Sequence, residues 1–304
     1  MSEPVSKGHR AAFVAIVGRP SVGKSTLLNA LCGHKVAIVS DIPQTTRNRV
    51  RGIVTRPEGQ LVFIDTPGFH RSKRPFNRHM RGLIQETIRE SEIVLYVADA
   101  ARHPGPEEEQ LLRLVASVGE IPQVVALNKI DLNATRAATE VDELAREYLP
   151  NAPIVPISAK GHGGLDLLLD TLFKLAPQSE PLYPQEYYTD QPPEFRVAEL
   201  IRERAMAGLK EELPHSLYVD VADMEISEEE HGSETLAIRA FILVERESQK
   251  GILVGKGGSR IKTIRQTAER EIATLFPYRI TLDVRVKVDS NWRQNEQVLR
   301  RLVH

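Results

Sequence analysis

The stretch Gly18-Arg19-Pro20-Ser21-Val22-Gly23-Lys24-Ser25-Thr26 follows an apolar, β-branched run from Phe13 to Val17 and opens a helical pattern in Leu27, Leu28 and Leu31. Glycines at Gly18 and Gly23 let the backbone curl so that successive N–H groups point at a β-phosphate, and the new helix adds its positive N-terminal end. Lys24 can reach the β- and γ-phosphates, and the Ser25 hydroxyl can ligate Mg²⁺. These residues read as a phosphate-binding loop for a nucleoside triphosphate.

More chemistry falls at the ends of later strand-like runs. After Leu61–Ile64 comes Asp65-Thr66-Pro67-Gly68, where Asp65 can hold Mg²⁺ through a water and the Gly68 N–H can sense a γ-phosphate. After Val124–Leu127 comes Asn128-Lys129-Ile130-Asp131. The Asp131 carboxylate can accept two hydrogen bonds from the N1–H and exocyclic amine of guanine, a pattern adenine lacks. Asn128 can tie the base to neighbouring loops, and the Lys129 stem can lie along the ring. A site of this kind rejects the wrong base because its carboxylate would be left unpaired. After Ile154–Ile157, Ser158-Ala159-Lys160 offers backbone N–H groups to the guanine oxygen. Between the loop helix and the second strand lies the polar segment Asp41–Arg47, in which Thr46, or alternatively Thr45, can close over Mg²⁺ and the γ-phosphate.

The elements that must hold these residues alternate in type. Strands are expected at 13–17, 52–55, 61–64, 93–98, 124–127 and 154–157, with amphipathic helices at 75–90, 107–118, 136–148 and 165–175 between them. Such alternation gives a mostly parallel sheet with helices on both faces and ligands at the carboxyl ends of the strands. The short Pro57-Glu58-Gly59 link makes one antiparallel hairpin of the second and third strands.

In order and spacing these sites resemble the Ras-like GTPase superfamily, which implies GTP and GDP as ligands, Mg²⁺ as the metal, and GTP hydrolysis. The resemblance is incomplete at one position. Many members place a water-orienting glutamine directly after the Asp-Thr-Pro-Gly segment, where this chain has Phe69. A phenyl ring cannot orient water, so intrinsic hydrolysis is expected to be slow, and no catalytic base is assigned.

The chain of 304 residues has room for two domains, and no apolar run approaches the roughly 20 residues that span a bilayer. The polar start MSEPVSKGHR reads as a tail and not as a signal or acylation site. A single cysteine, Cys32, excludes an internal disulfide framework and points to a reducing, cytoplasmic setting, with a packing role for the thiol. The net charge of −1 hides a polarity. Ser248–His304 carries 12 Lys and Arg against 5 Asp and Glu, whereas Glu194–Glu247 carries 6 against 14. The basic end is a candidate footprint for phosphate.

From Pro177 to Pro193 five prolines interrupt the pattern, which marks a stiff linker. The second half then reads as helix 194–210, strands 216–226 and 235–245, a short helix 248–254, helix 259–275 and strand 278–288. The expectation is a three-stranded sheet with helices on one face. Gly255-Lys256-Gly257-Gly258 lies between the last two helices. Its glycines let a nucleic-acid backbone pass close by, and Lys256, Arg260 and Lys262 supply charge to the phosphates. In this context it resembles the G-x-x-G loop of a bacterial-type (type II) KH domain, which clamps about four nucleotides of single-stranded RNA. Gly161-His162-Gly163-Gly164 fits the same pattern but lies among the nucleotide motifs. Trp292 either stacks on a base or anchors the chain end.

DTPGF, a Thr-Thr-Arg switch, VGKGGSRIK and VKVDSNWR together resemble the TrmE-Era-EngA-like GTPases, and among them the bacterial ribosome-assembly enzymes that carry a KH domain. The fold expected is α/β, a P-loop GTPase sheet followed by a smaller α+β KH domain. The divisions expected are tail 1–10, GTPase domain 11–176, linker 177–193 and KH domain 194–304. The resemblance implies a monomer that binds the 3′ end of 16S ribosomal RNA and acts in 30S subunit maturation, with peripheral contact to the inner membrane. GTP and Mg²⁺ would order 41–47 and 68–74 and so change RNA affinity. A tRNA-processing GTPase and an RNA-binding module with little nucleotide control are the alternatives.

Overall fold

The computed structural model describes residues 8–39, 49–66, 68–69, 75–209, 217–228 and 234–290, with side chains in the second helix described from residue 82. The chain divides into two compact units, Met1–Asp190 and Gln191–His304, so the division falls inside the stretch read as linker.

The first unit holds a six-stranded sheet of β1 (Arg10–Val17), β2 (Val50–Arg56), β3 (Gly59–Asp65), β4 (Ile93–Asp99), β5 (Gln123–Asn128) and β6 (Ile154–Pro156) in the order β2-β3-β1-β4-β5-β6. Only β2 runs antiparallel, paired to β3 with Val50 opposite Asp65 and Arg56 opposite Gly59. β1 pairs in parallel with β3 on one side and β4 on the other. Their side chains alternate between two apolar layers. Ala12, Val14 and Ile16 face one layer with α1 (Lys24–Cys32) and α5 (Leu165–Leu175), while Ala15 and Val17 face the other with α2 (Pro75–Arg89), α3 (Pro106–Ala116) and α4 (Thr135–Tyr148). Burial on both faces accounts for the near-continuous apolar runs of β1, β3 and β4. Cys32 belongs to the first layer, and burial pushes its thiol up to about 12, so it packs and does not react.

Residues 177–190 are bound along this unit. Ala11 N–H donates to the Pro177 carbonyl, and the Gln60 side-chain oxygen accepts from the N–H groups of Leu182 and Tyr183 at 2.9 and 2.8 Å. At the outer edge of the sheet the Ile53 N–H donates to the Tyr188 carbonyl, Thr189 donates to the Arg51 carbonyl, and Arg51 pairs with Asp190 at 2.8 Å.

The second unit runs α6 (Pro193–Met206), β7 (Tyr218–Glu228), β8 (Glu234–Val244), α7 (Glu247–Val254), α8 (Ser259–Ile272) and β9 (Arg279–Val288). β8 is central, antiparallel to β7 and parallel to β9. Buried Ile238, Ala240, Ile242 and Val244 of β8 alternate with more exposed residues, the pattern of a sheet covered on one face. Val197, Leu200 and Ile201 of α6 and Ile264, Ala268 and Ile272 of α8 complete that core. α6 stops at Met206, short of the 210 expected, with Gly208 at φ +71° just beyond it. Residues 229–233, between β7 and β8, lie outside the described residues.

Candidate nucleotide and RNA sites

The phosphate loop leaves β1 and enters α1 through tightly packed glycines. A Cβ on Gly18 would stand 2.5 Å from the Val97 carbonyl oxygen, and one on Gly23, at φ +99°, would stand 2.5 Å from Asn128 Nδ2. Only glycine fits either place. Lys24, 7% exposed, donates from Nζ to the carbonyls of Gly18 and Arg19, both at 3.1 Å. Burial pushes its amine below the ordinary value, with Asp65 pulling the other way.

Ser25 Oγ donates to Asp65 Oδ2 at 2.6 Å, which brings together two of the three expected Mg²⁺ residues. A hydroxyl and a buried carboxylate at a phosphate loop are the oxygen donors this hard cation takes. Gly68 is packed against Pro20, with a Cβ there 2.8 Å from the proline Cα, and the Phe69 N–H donates to the Gly18 carbonyl at 3.2 Å. The Phe69 ring is buried with Ile84, Leu111 and Tyr96, so it holds this segment to the core. Thr45, Thr46 and Pro67 lie outside the described residues.

The expected base-binding residues converge on the same strand ends. Asn128, 2% exposed, donates to the Val22 carbonyl at 2.8 Å and accepts from the Ala159 N–H at 2.9 Å. Lys129, at φ +70°, reaches the Ser21 carbonyl at 2.8 Å and Asp99 at 2.7 Å. Asp131 is exposed, and its Oδ1 accepts from Ser158 Oγ at 2.6 Å, so the serine orients the carboxylate. One expectation needs correction. The N–H groups of Ser158 and Ala159 are engaged with Gly163 O and Asn128 Oδ1, not turned toward a base. The Gly161–Gly164 segment folds back on Ser158 through this pairing, and its glycines therefore serve the loop itself.

Sequence reasoning missed the groups that hold these motifs. Asp99 at the end of β4 anchors Lys129, and Arg19 is buried against Glu108 of α3. Glu108 sits at helical spacing from Leu111, Leu112 and Val115, a carboxylate on an apolar stripe, and that misfit was the available signal.

In the second unit the glycine loop is a 3₁₀ turn, Lys256–Gly258, between α7 and α8. Gly255, Gly257 and Gly258 have φ of +72°, +59° and +76°. Lys256 and Lys262 are exposed. Arg260 differs, because its Nη2 donates to the Ala207 carbonyl at 2.9 Å and ties the loop to the end of α6. Ile252, 50% exposed, stands beside the loop as an apolar contact. Trp292 lies outside the described residues.

Comparison with known proteins agrees with this geometry. A family model described as 50S ribosome-binding GTPase matches residues 13–129, and one described as KH domain matches residues 212–293. The chain is 46% identical to the GTPase Era of Treponema pallidum (strain Nichols), covering 97% of this chain and 98% of that one. It belongs to the Era family of GTPases. Era of Borreliella burgdorferi (strain ZS7) is 45% identical over 97% of this chain and all of its own. A crystal structure of Era in complex with MgGDPNP and nucleotides 1506–1542 of 16S ribosomal RNA is 36% identical, with a TM-score of 0.87 over 96% of this chain and 98% of that one. A variant of Aquifex aeolicus Era bound to GDP·AlF4⁻ matches with the same TM-score of 0.87 at 35% identity. As a member of the Era family, this chain is a GTP-hydrolysing enzyme, with a P-loop GTPase unit followed by a KH unit.

Proposed function

We propose that the chain binds GTP and Mg²⁺ at the carboxyl ends of the six-stranded sheet and uses the nucleotide state to control binding of the 3′ end of 16S ribosomal RNA by its KH unit during 30S maturation. The observation that carries this reading is the near full-length likeness to an Era that holds both MgGDPNP and 16S ribosomal RNA nucleotides.

In this reading residues 18–26 cradle the phosphates, and the Lys24 amine, held on the Gly18 and Arg19 carbonyls, presents its remaining proton to them. Asp131 pairs with the guanine edge while Ser158 keeps it oriented. Ser25, Asp65 and Thr46 would hold the metal, which bridges phosphate oxygens and neutralises charge when bound. Gly68, already seated on Pro20, senses the γ-phosphate. Phe69 is spent on the core, which supports slow intrinsic hydrolysis. On the second unit Gly257 and Gly258 admit the RNA backbone, and Lys256 and Lys262 meet its phosphates. The protein acts as a cytoplasmic monomer, and its contact with the inner membrane is peripheral, through basic surface. Among the described residues no helix is long and apolar enough to cross a bilayer.

The test is the affinity of the full chain for a short strand copying the 16S 3′ end against a scrambled strand, with GDP and then a non-hydrolysable GTP analogue at fixed salt. Specific binding that tightens with the analogue is expected. Equal affinity in both nucleotide states removes the switch, and indifference to RNA sequence removes the ribosomal target.

A further inference from the structure

Below the phosphate loop lies a buried polar cluster that joins one loop residue to α3 and β4. Arg19 is 7% exposed, and Glu108 and Tyr96 are both 0% exposed. The Arg19 guanidinium pairs through Nε with Glu108 Oε2, and the Tyr96 hydroxyl donates to Glu108 Oε1. Burial pushes the Glu108 carboxyl above its ordinary value, while Arg19 pulls it back. A buried ion pair is poor value for stability, since well-packed apolar residues of similar volume serve the fold as well or better. The cluster therefore calls for another explanation.

Its surroundings supply one. Three groups converge on the backbone at residues 18–20. Lys24 donates to the carbonyls of Gly18 and Arg19, the Phe69 N–H donates to Gly18, and Gly68 rests on Pro20. Gly18 itself is pressed against the Val97 carbonyl of β4, one residue past Tyr96. The loop is thus held at Gly18 by strand contact and at Arg19 by its side chain. Because Pro20 locks its own φ, the Arg19 carbonyl cannot flip about the 19–20 peptide alone, so turning it displaces the Arg19 Cα and with it the guanidinium paired to Glu108.

We infer that Arg19, Glu108 and Tyr96 form a positioning network that fixes the carbonyl directions at residues 18 and 19 and thereby places the Lys24 amine for the β-phosphate. All three side chains are buried beneath the loop. The network ties α3 and β4 to the loop, so the amine is aimed before ligand arrives and no loop ordering is left for the binding step. The inference rests on residues 18–26 being the phosphate loop.

The test compares GDP with GMP affinity of the full chain, because the ratio isolates what the β-phosphate contributes. Glu108→Gln is expected to lower the ratio about tenfold, the scale of one charge-assisted hydrogen bond, with GMP affinity unmoved. The double variant Arg19→Met/Glu108→Leu replaces the pair with apolar volume. It is expected to unfold at the same temperature or higher and still show the lowered ratio, a combination that a purely structural role cannot give. Tyr96→Phe, which removes one oxygen, gives a smaller loss and decides the matter should the others fail to fold. An unchanged ratio in the variants that fold overturns the network. Lys24→Ala serves as the separate control: if it too leaves the ratio unchanged, the phosphate-loop reading fails before the network is at issue.

Discussion

Two glycine-rich loops among the described residues, 18–24 and 255–258, each carry a lysine and lead into a helix, and their glycines stand in different surroundings. At Gly18 and Gly23 a side chain would strike a carbonyl oxygen or a buried amide within 2.5 Å. At Gly257 and Gly258 nothing lies within 4 Å of where a side chain would begin. The first loop needs glycine because its own protein is in the way, with positive φ at Gly23 as a second reason. The second needs it because the backbone turns through positive φ, and it leaves its outer side open. A loop pinned from behind by its own protein suits a small ligand held in one pose. A loop open in front suits a long polymer that must slide in from outside.

The difference can be broken most sharply at Gly18. Gly18→Ala forces a Cβ onto the fixed Val97 carbonyl, so the loop must shift, and GTP hydrolysis is expected to fall by on the order of 10²-fold. A phosphate-release assay reads it, and an unaltered rate would show that the loop is looser than its contacts imply. Gly257→Asp is the matching change in the second loop. Its cost to the fold is limited to the strain of a side chain at positive φ, about 1–2 kcal/mol, while the added anion is expected to lower RNA affinity about tenfold. GDP titration should be unmoved, and parallel loss of both ligands would mean that the two loops do not act separately. Smallest is Arg260→Ala, which removes the hydrogen bond to the Ala207 carbonyl and should cost about 1 kcal/mol by chemical denaturation. No loss of stability would return Arg260 to the group that serves RNA alone.

Much of this was legible in the chain itself. The strands showed through alternation and β-branched runs, and the GKS, DTPG and NKID segments through chemistry that backbone and near neighbours supply. What could not be read was anything that depends on distant segments meeting. Glu108 and Arg19 are 89 positions apart, and only the sheet order brings α3 beneath the loop. Phe69 registered as a missing glutamine, but its burial against Ile84 and Leu111 needed α2 and α3 in place. Ser158 and Ala159 were read as donors to a base because sequence shows an N–H and not its acceptor. Arg260 was grouped with Lys256 and Lys262 by charge, and the end of α6 that claims it is 53 positions away.

The segment bound along the first unit has a consequence for how that unit can be made or cut. β2 is an edge strand, and such edges invite pairing with other chains unless covered. Here Tyr188 and Thr189 occupy part of that edge, and Gln60, fully buried in β3, has its amide oxygen satisfied by Leu182 and Tyr183. A fragment ended after α5 would expose the edge and strand that amide oxygen in the interior. During synthesis the same holds in time: the β2 edge stays uncovered until residue 190 has left the ribosome.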